Sequence, residues 1–121
     1  MAYKVLFCGD RDWTDEAYIE TEVMMLDIEH DDLIIIEGEA NGADKLSRKA
    51  AEKFLVPVEP YPADWARYKR AAGPIRNQQM LDEGKPDLVI AFHDDLENSK
   101  GTKDMVARAK KAGIPVQIVT H

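Results

Sequence analysis

Ile34-Ile35-Ile36-Glu37-Gly38-Glu39-Ala40-Asn41-Gly42-Ala43-Asp44-Lys45-Leu46 decides the fold: an apolar strand runs through a turn of small residues straight into a helix. Such a junction points bare backbone N–H groups at whatever lies beyond the strand end, and phosphate is their commonest guest. The layout recurs after Val5-Leu6-Phe7-Cys8, as Gly9-Asp10-Arg11-Asp12-Trp13, and after Leu88-Val89-Ile90-Ala91-Phe92, ahead of Lys100-Gly101-Thr102. Three polar loops at three strand ends predict a nucleotide-type site.

Outward from that segment, short β-branched or aliphatic runs near 3–8, 33–37, 56–60, 87–92 and 115–119 alternate with helical patterns. Alternation of this kind predicts βαβ units: an α/β domain with a mainly parallel five-stranded sheet and helices on both faces. The first helix is expected over 14–29, with Thr14 as N-cap and Ile19, Val23 and Leu26 facing the sheet. A second spans about 43–55. A third starts around Pro74 and stops at Gly84, and the last runs from about Thr102 to Ala112. Ligands of open parallel sheets lie outside the carboxyl ends of the strands, where strand order reverses. If strands one and four flank that point, the three loops meet in one crevice.

The 121 residues, 45% hydrophobic and 32% charged, suit one domain over 1–121. No apolar run approaches the roughly 20 residues that cross a bilayer, and no secretory leader is legible, so a cytoplasmic location without a membrane partner is expected. Cys8 is the only cysteine. It excludes an internal disulfide and a cysteine-cluster zinc site. A formal charge of −7 weighs against nucleic acid as a partner, because backbone binding needs clustered Lys and Arg. Residues 1–60 carry 15 acids and 6 bases, whereas 61–121 carry 8 acids and 10 bases. Cations for an anion site should therefore come mainly from the second half, which favours a small phosphorylated ligand.

Neither the dinucleotide G-x-G-x-x-G spacing nor the G-x-x-x-x-G-K-[ST] loop is present. Gly38-x-Ala40-x-Gly42-Ala43 is read as phosphate- or ribose-binding, with plain turn and packing duty as the alternative. Asp44 suits either the dipole of a helix start or a ribose hydroxyl. In Gly73-Pro74-Ile75-Arg76-Asn77 a cation enters the first turn of a helix, a placement that costs up to about 1 kcal/mol unless an anion intervenes. Arg76 is therefore expected to clamp phosphate or carboxylate beside Asn77, with a salt bridge as the alternative. Lys100-Gly101-Thr102-Lys103-Asp104 repeats the pattern, with Thr102 as N-cap; an ordinary capped helix is the alternative. Arg11, next to Gly9, adds a cation, and Trp13 is read as a plug of the helix against the sheet rather than a base platform. Tyr61-Pro62-Ala63-Asp64-Trp65 with Tyr68 lines a base pocket, makes a subunit contact or closes the core. Asp31-Asp32 and Asp94-Asp95, even with His93 adjacent, lack a matching ligand set and are read as hydrated carboxylates. No metal is expected.

Taken together and in order, Gly9 to Trp13, Gly38 to Asp44, Tyr61 to Trp65, Gly73 to Asn77 and Lys100 to Met105 resemble the YspA/YpsA-related branch of the SLOG superfamily. Many small members of that branch are encoded by phages and bacteria. The resemblance implies a Rossmann-like domain shared with the Smf/DprA proteins and the Lonely-guy phosphoribohydrolases, binding a nucleotide or nucleotide-derived signal. A homodimer is common among such relatives. In the phosphoribohydrolases a Pro-Gly-Gly-x-Gly-Thr-x-x-Glu segment holds phosphate and supplies a carboxylate, and an arginine opening a helix assists at the ribose. Here Gly101-Thr102 matches the Gly-Thr pair and Arg76 resembles the arginine. Asn98-Ser99-Lys100 departs from the segment's start, and Met105 stands where the Glu belongs, so Asp104 would have to substitute.

The leading expectation is thus a binder, in a sensing or sequestering role, with no cofactor. Gly38, Gly42, Gly101 and Thr102 would cradle phosphate, Arg11, Arg76 and Lys100 would neutralise it, and Asp44 or Asn77 would touch the sugar. Gly9, Ala40 and Ala43 complete the loops. Two alternatives are a phosphoribohydrolase cleaving a nucleoside monophosphate, with Asp104 and Arg76 as its catalytic residues, and a single-strand DNA or protein-interaction module.

Overall fold

The computed structural model describes residues 1–121. Its five strands are β1 (Tyr3–Gly9), β2 (Leu33–Glu37), β3 (Val58–Pro60), β4 (Leu88–Phe92) and β5 (Val116–Val119). They pair in parallel in the order β3-β2-β1-β4-β5. β1 is therefore central, and the chain reverses its direction of travel across the sheet between β1 and β4. The fold is the expected Rossmann-like α/β arrangement.

Both faces of the sheet are covered, which explains why the strands are apolar on alternate and adjacent positions alike. Helices α1 (Glu16–Glu29) and α2 (Ala43–Lys53) bury Ile19, Val23, Leu26, Ala50 and Ala51 against Val5, Phe7 and Ile35 on one face. On the other, Met80 and Leu81, and Met105, Val106 and Ala109 of α5 (Gly101–Lys111), pack on Leu6, Ile36 and Val89. Trp13 is buried as the plug expected, with its ring 5.5 Å from that of Phe92.

Several helix ends differ from expectation for identifiable reasons. Asp15, not Thr14, caps α1, because its Oδ1 accepts the Tyr18 N–H. Between β3 and β4 the chain makes a single helical turn, α3 (Trp65–Tyr68), a 3-10 turn and then α4 (Ala72–Gln79), which runs on into a π turn over Met80–Gly84. α4 thus begins two residues before Pro74. Proline is accommodated there because the first-turn N–H groups of a helix have no acceptor within it. Arg76 consequently lies at the fifth position of α4, beyond the first turn, and the dipole argument does not apply to it. In α5, Gly101 opens the helix and Ser99 Oγ accepts the Thr102 N–H, so Ser99 rather than Thr102 supplies the capping oxygen.

Candidate functional site

Three loops leave the carboxyl ends of β1, β2 and β4 and meet over the point where β1 and β4 diverge. A cavity of about 410 Å³ lies there, within the size range of small-molecule sites. Gly9, Arg11, Ala40, Asp44, Arg76, Asn77, Lys100, Gly101 and Thr102 all line it. Gly38, Gly42, Ala43 and Asp104 do not.

The β2–α2 loop is spent largely on itself. The buried Asp44 carboxylate turns back so that Oδ2 accepts the N–H groups of Gly38 at 3.2 Å and Ala40 at 3.3 Å. Ala43 donates its N–H to Asp10 O at 3.1 Å. Gly42 has φ of +72°, and a Cβ there would lie 2.2 Å from Asp10 O. Gly9 is equally confined, since its Cβ would meet Phe92 O at 2.3 Å. Gly42 and Ala43 therefore lock the first two loops together: turn and packing duty, the alternative raised for this motif, describes them.

Arg76 is seated by that same loop. Its Nη1 donates to Gly38 O, and its Nε donates to Asn77 Oδ1 at 3.1 Å. A Cβ on Gly38 would stand 2.6 Å from Arg76 Nη1, so the absence of a side chain at 38 makes the seat. Asn77 is buried and fully used, its Nδ2 donating to Gly101 O at 3.2 Å and Asp104 Oδ2 at 3.0 Å. It ties the arginine to the start of α5. Asp104 is also bound by Arg108 Nε at 2.8 Å, which holds it between α4 and α5 outside the cavity.

Around Gly101 the opposite holds. Apart from its chain neighbours and its own helix backbone, no atom lies within 4 Å of where its Cβ would be, and its N–H has no acceptor. Lys100 stands beside it without an ion pair, as do Arg11 and Arg76, so every Lys or Arg that lines the cavity is unpaired.

Burial pushes the Asp44 carboxyl up to about 6, opposed by the Arg76 charge and by the two amides it accepts. Burial likewise lowers Arg76 from its ordinary range, with Asp44 opposing. Glu37, at the end of β2, was not singled out by sequence. It is fully buried, its Oε1 accepts the Glu39 N–H at 2.9 Å, and Oε2 has no partner. Burial, reinforced by the neighbouring Glu39 carboxyl, raises it to about 8. The only trace in sequence is a glutamate closing an apolar strand. Asp10, Asp12, His93 and Ser99 also line the cavity, over a floor of Cys8, Met80 and Met105. Ser99 was findable, as a hydroxyl three residues before an amide that a helix start leaves free. Burial raises the Cys8 thiol far above its ordinary range, which makes it unreactive.

A second cavity, of about 540 Å³, adjoins the first and shares Arg11, Ala40 and Arg76 with it. Gly38, Pro62, Ala63 and Trp65 are among its other lining residues.

A parallel sheet in this order, with polar loops gathered at its switch point, defines a Rossmann-like domain. The chain belongs to the YspA, cpYpsA-related SLOG family (YAcAr), whose profile matches residues 3–68. That match takes in the Gly9, Gly38–Asp44 and Tyr61–Trp65 motifs and ends before Arg76. Over 119 residues the chain is 34% identical to the Gene 61 protein of Mycobacterium phage D29, covering 93% of each. The fold is similar to that of DNA processing protein A (DprA) from Streptococcus pneumoniae, with a TM-score of 0.75 at 17% identity. The superposition covers 98% of this chain, which spans half of that one. No helix is long and apolar enough to cross a membrane.

Proposed function

We propose that this chain binds a small phosphorylated ligand of nucleotide type in the cavity between the ends of β1 and β4. The observation that carries this reading is the meeting of three unpaired cations, Arg11, Arg76 and Lys100, around one cavity whose rim includes the open Gly101 amide. Unpaired cations beside free N–H groups favour an anion. The cavity also holds Asp10, Asp12 and Asp44, which bare phosphate would not favour. Carboxylates accept sugar hydroxyls, and Asp44 still has Oδ1 free for one, so a phosphate joined to ribose fits better than phosphate alone.

Calorimetric titration with AMP, ADP, ADP-ribose and cyclic nucleotides tests this. At least one is expected to bind, and Arg76→Ala should weaken it about 10- to 100-fold or more, the value of hydrogen bonds to a charged group. Unchanged affinity in that variant removes the clamp. Binding without turnover is favoured, because cleavage of an N-glycosidic bond needs a carboxylate against the reacting carbon and Asp104 faces Arg108 instead. Adenine release from AMP that disappears in Asp104→Asn would reverse that choice. A DNA-binding role, suggested by the likeness to DNA processing protein A, is disfavoured by the net charge of −7. Salt-dependent binding of oligonucleotides would restore it.

A further inference from the structure

The second cavity is larger than the first, and Arg11 and Arg76, which line both, stand between it and the Lys100–Gly101 end of the first. Its outer side is Trp65, which the Asp64 cap places at the start of α3, where Oδ1 of Asp64 accepts the Arg67 N–H. Trp65 is 49% exposed, whereas the other tryptophan, Trp13, is 4% exposed. The Arg11 guanidinium stands 6.0 Å from the Trp65 ring centroid, at the outer limit of a cation–π contact. An indole left half bare on a cavity wall, with an unpaired cation at that distance, leaves room for a flat π-system against the ring. Tyr61 and Tyr68, its neighbours in the same aromatic segment, are half-buried and line no part of this cavity.

Resting on the phosphate site above, we propose that the second cavity is the base subsite: the ligand is a nucleotide that straddles the Arg11–Arg76 wall, its heterocycle stacked on Trp65. The charged end then lies toward Lys100 and Gly101. Stacking selects for a planar base without naming it, because every base presents a π-face. The exposed Asn41 amide on the same cavity can bond a base edge. Ribose 5-phosphate fills the first cavity alone, whereas ADP reaches both.

Two probes separate this subsite from the phosphate site. Titrate wild-type protein, Trp65→Ala and Trp65→Phe with ADP and with ribose 5-phosphate, following heat and tryptophan fluorescence. ADP is expected to quench Trp65 emission over the constant background of buried Trp13, and ribose 5-phosphate is not. Trp65→Ala should lose ADP affinity about 10- to 100-fold, while Trp65→Phe retains most of it and ribose 5-phosphate binds all three proteins alike. Equal ADP affinity in wild type and Trp65→Ala, or binding of ribose 5-phosphate without any binding of ADP, overturns the base subsite and leaves the phosphate site standing. Failure of both probes, together with AMP, ADP-ribose and the cyclic nucleotides, to bind wild-type protein overturns both.

Discussion

The β2–α2 loop and the β4–α5 loop are written in the same vocabulary, glycine and small residues leading into a helix, yet the fold uses them in opposite ways. In the first, Asp44 takes the N–H groups of Gly38 and Ala40, Asp10 O takes that of Ala43, and Gly42 is jammed against the β1 loop. In the second, Gly101 faces open space with its N–H free beside an unpaired Lys100. A helix start is an anion site only if the chain has not already supplied the anion, and Asp44 is such an internal anion.

The largest break in this comparison should come at Gly42. Its φ of +72° and the 2.2 Å approach of Asp10 O predict that Gly42→Ala destabilises the fold by about 2 kcal/mol or more, measured by denaturant unfolding. Gly38→Ala tests the seat of Arg76 rather than the fold. With Nη1 only 2.6 Å from the new Cβ, the guanidinium must move, and affinity for ADP should fall nearly as far as in Arg76→Ala.

A smaller effect sharpens the contrast through pH. Glu37 releases its proton near the ordinary 4.5 when unfolded but near 8 when folded. As pH rises through that window the unfolded chain has already lost the proton that the folded chain keeps, so Glu37 lowers stability progressively. Asp44 acts in the same direction between 3.8 and about 6. Glu37→Gln should therefore flatten the fall in thermal midpoint between pH 6 and 8 and reduce it between 4.5 and 6, where only the Asp44 part remains. An unaltered slope above pH 6 would mean that Glu37 is ionised in the folded protein. The smallest change in stability belongs to Gly101→Ala, which meets no atom and improves helix propensity, so the midpoint should hold or rise slightly while ribose 5-phosphate binding weakens.

The parallel sheet and the gathering of its polar loops at the strand ends were legible because apolar runs and Gly/Pro punctuation are local signals. What the two loops do with their amides was not. That depends on Asp44 folding back four and six residues along the chain and on Asp10 O arriving from another loop, contacts that no spacing encodes. Asp104 illustrates the same limit. Its place one residue before the position of the expected carboxylate said nothing about Asn77 and Arg108, which hold it between α4 and α5, off the wall of the ligand cavity. Arg76 was chosen on a dipole argument that the earlier start of α4 removes; its place in the cavity comes instead from Gly38 O and Asn77.

Backbone amide chemical shifts during titration with ribose 5-phosphate compare the two loops in a single spectrum. The account predicts that Gly101, Thr102 and Lys103 shift most, while Gly42 and Ala43 stay nearly still. Dominant shifts at Gly42 and Ala43, with Gly101 unmoved, would contradict it.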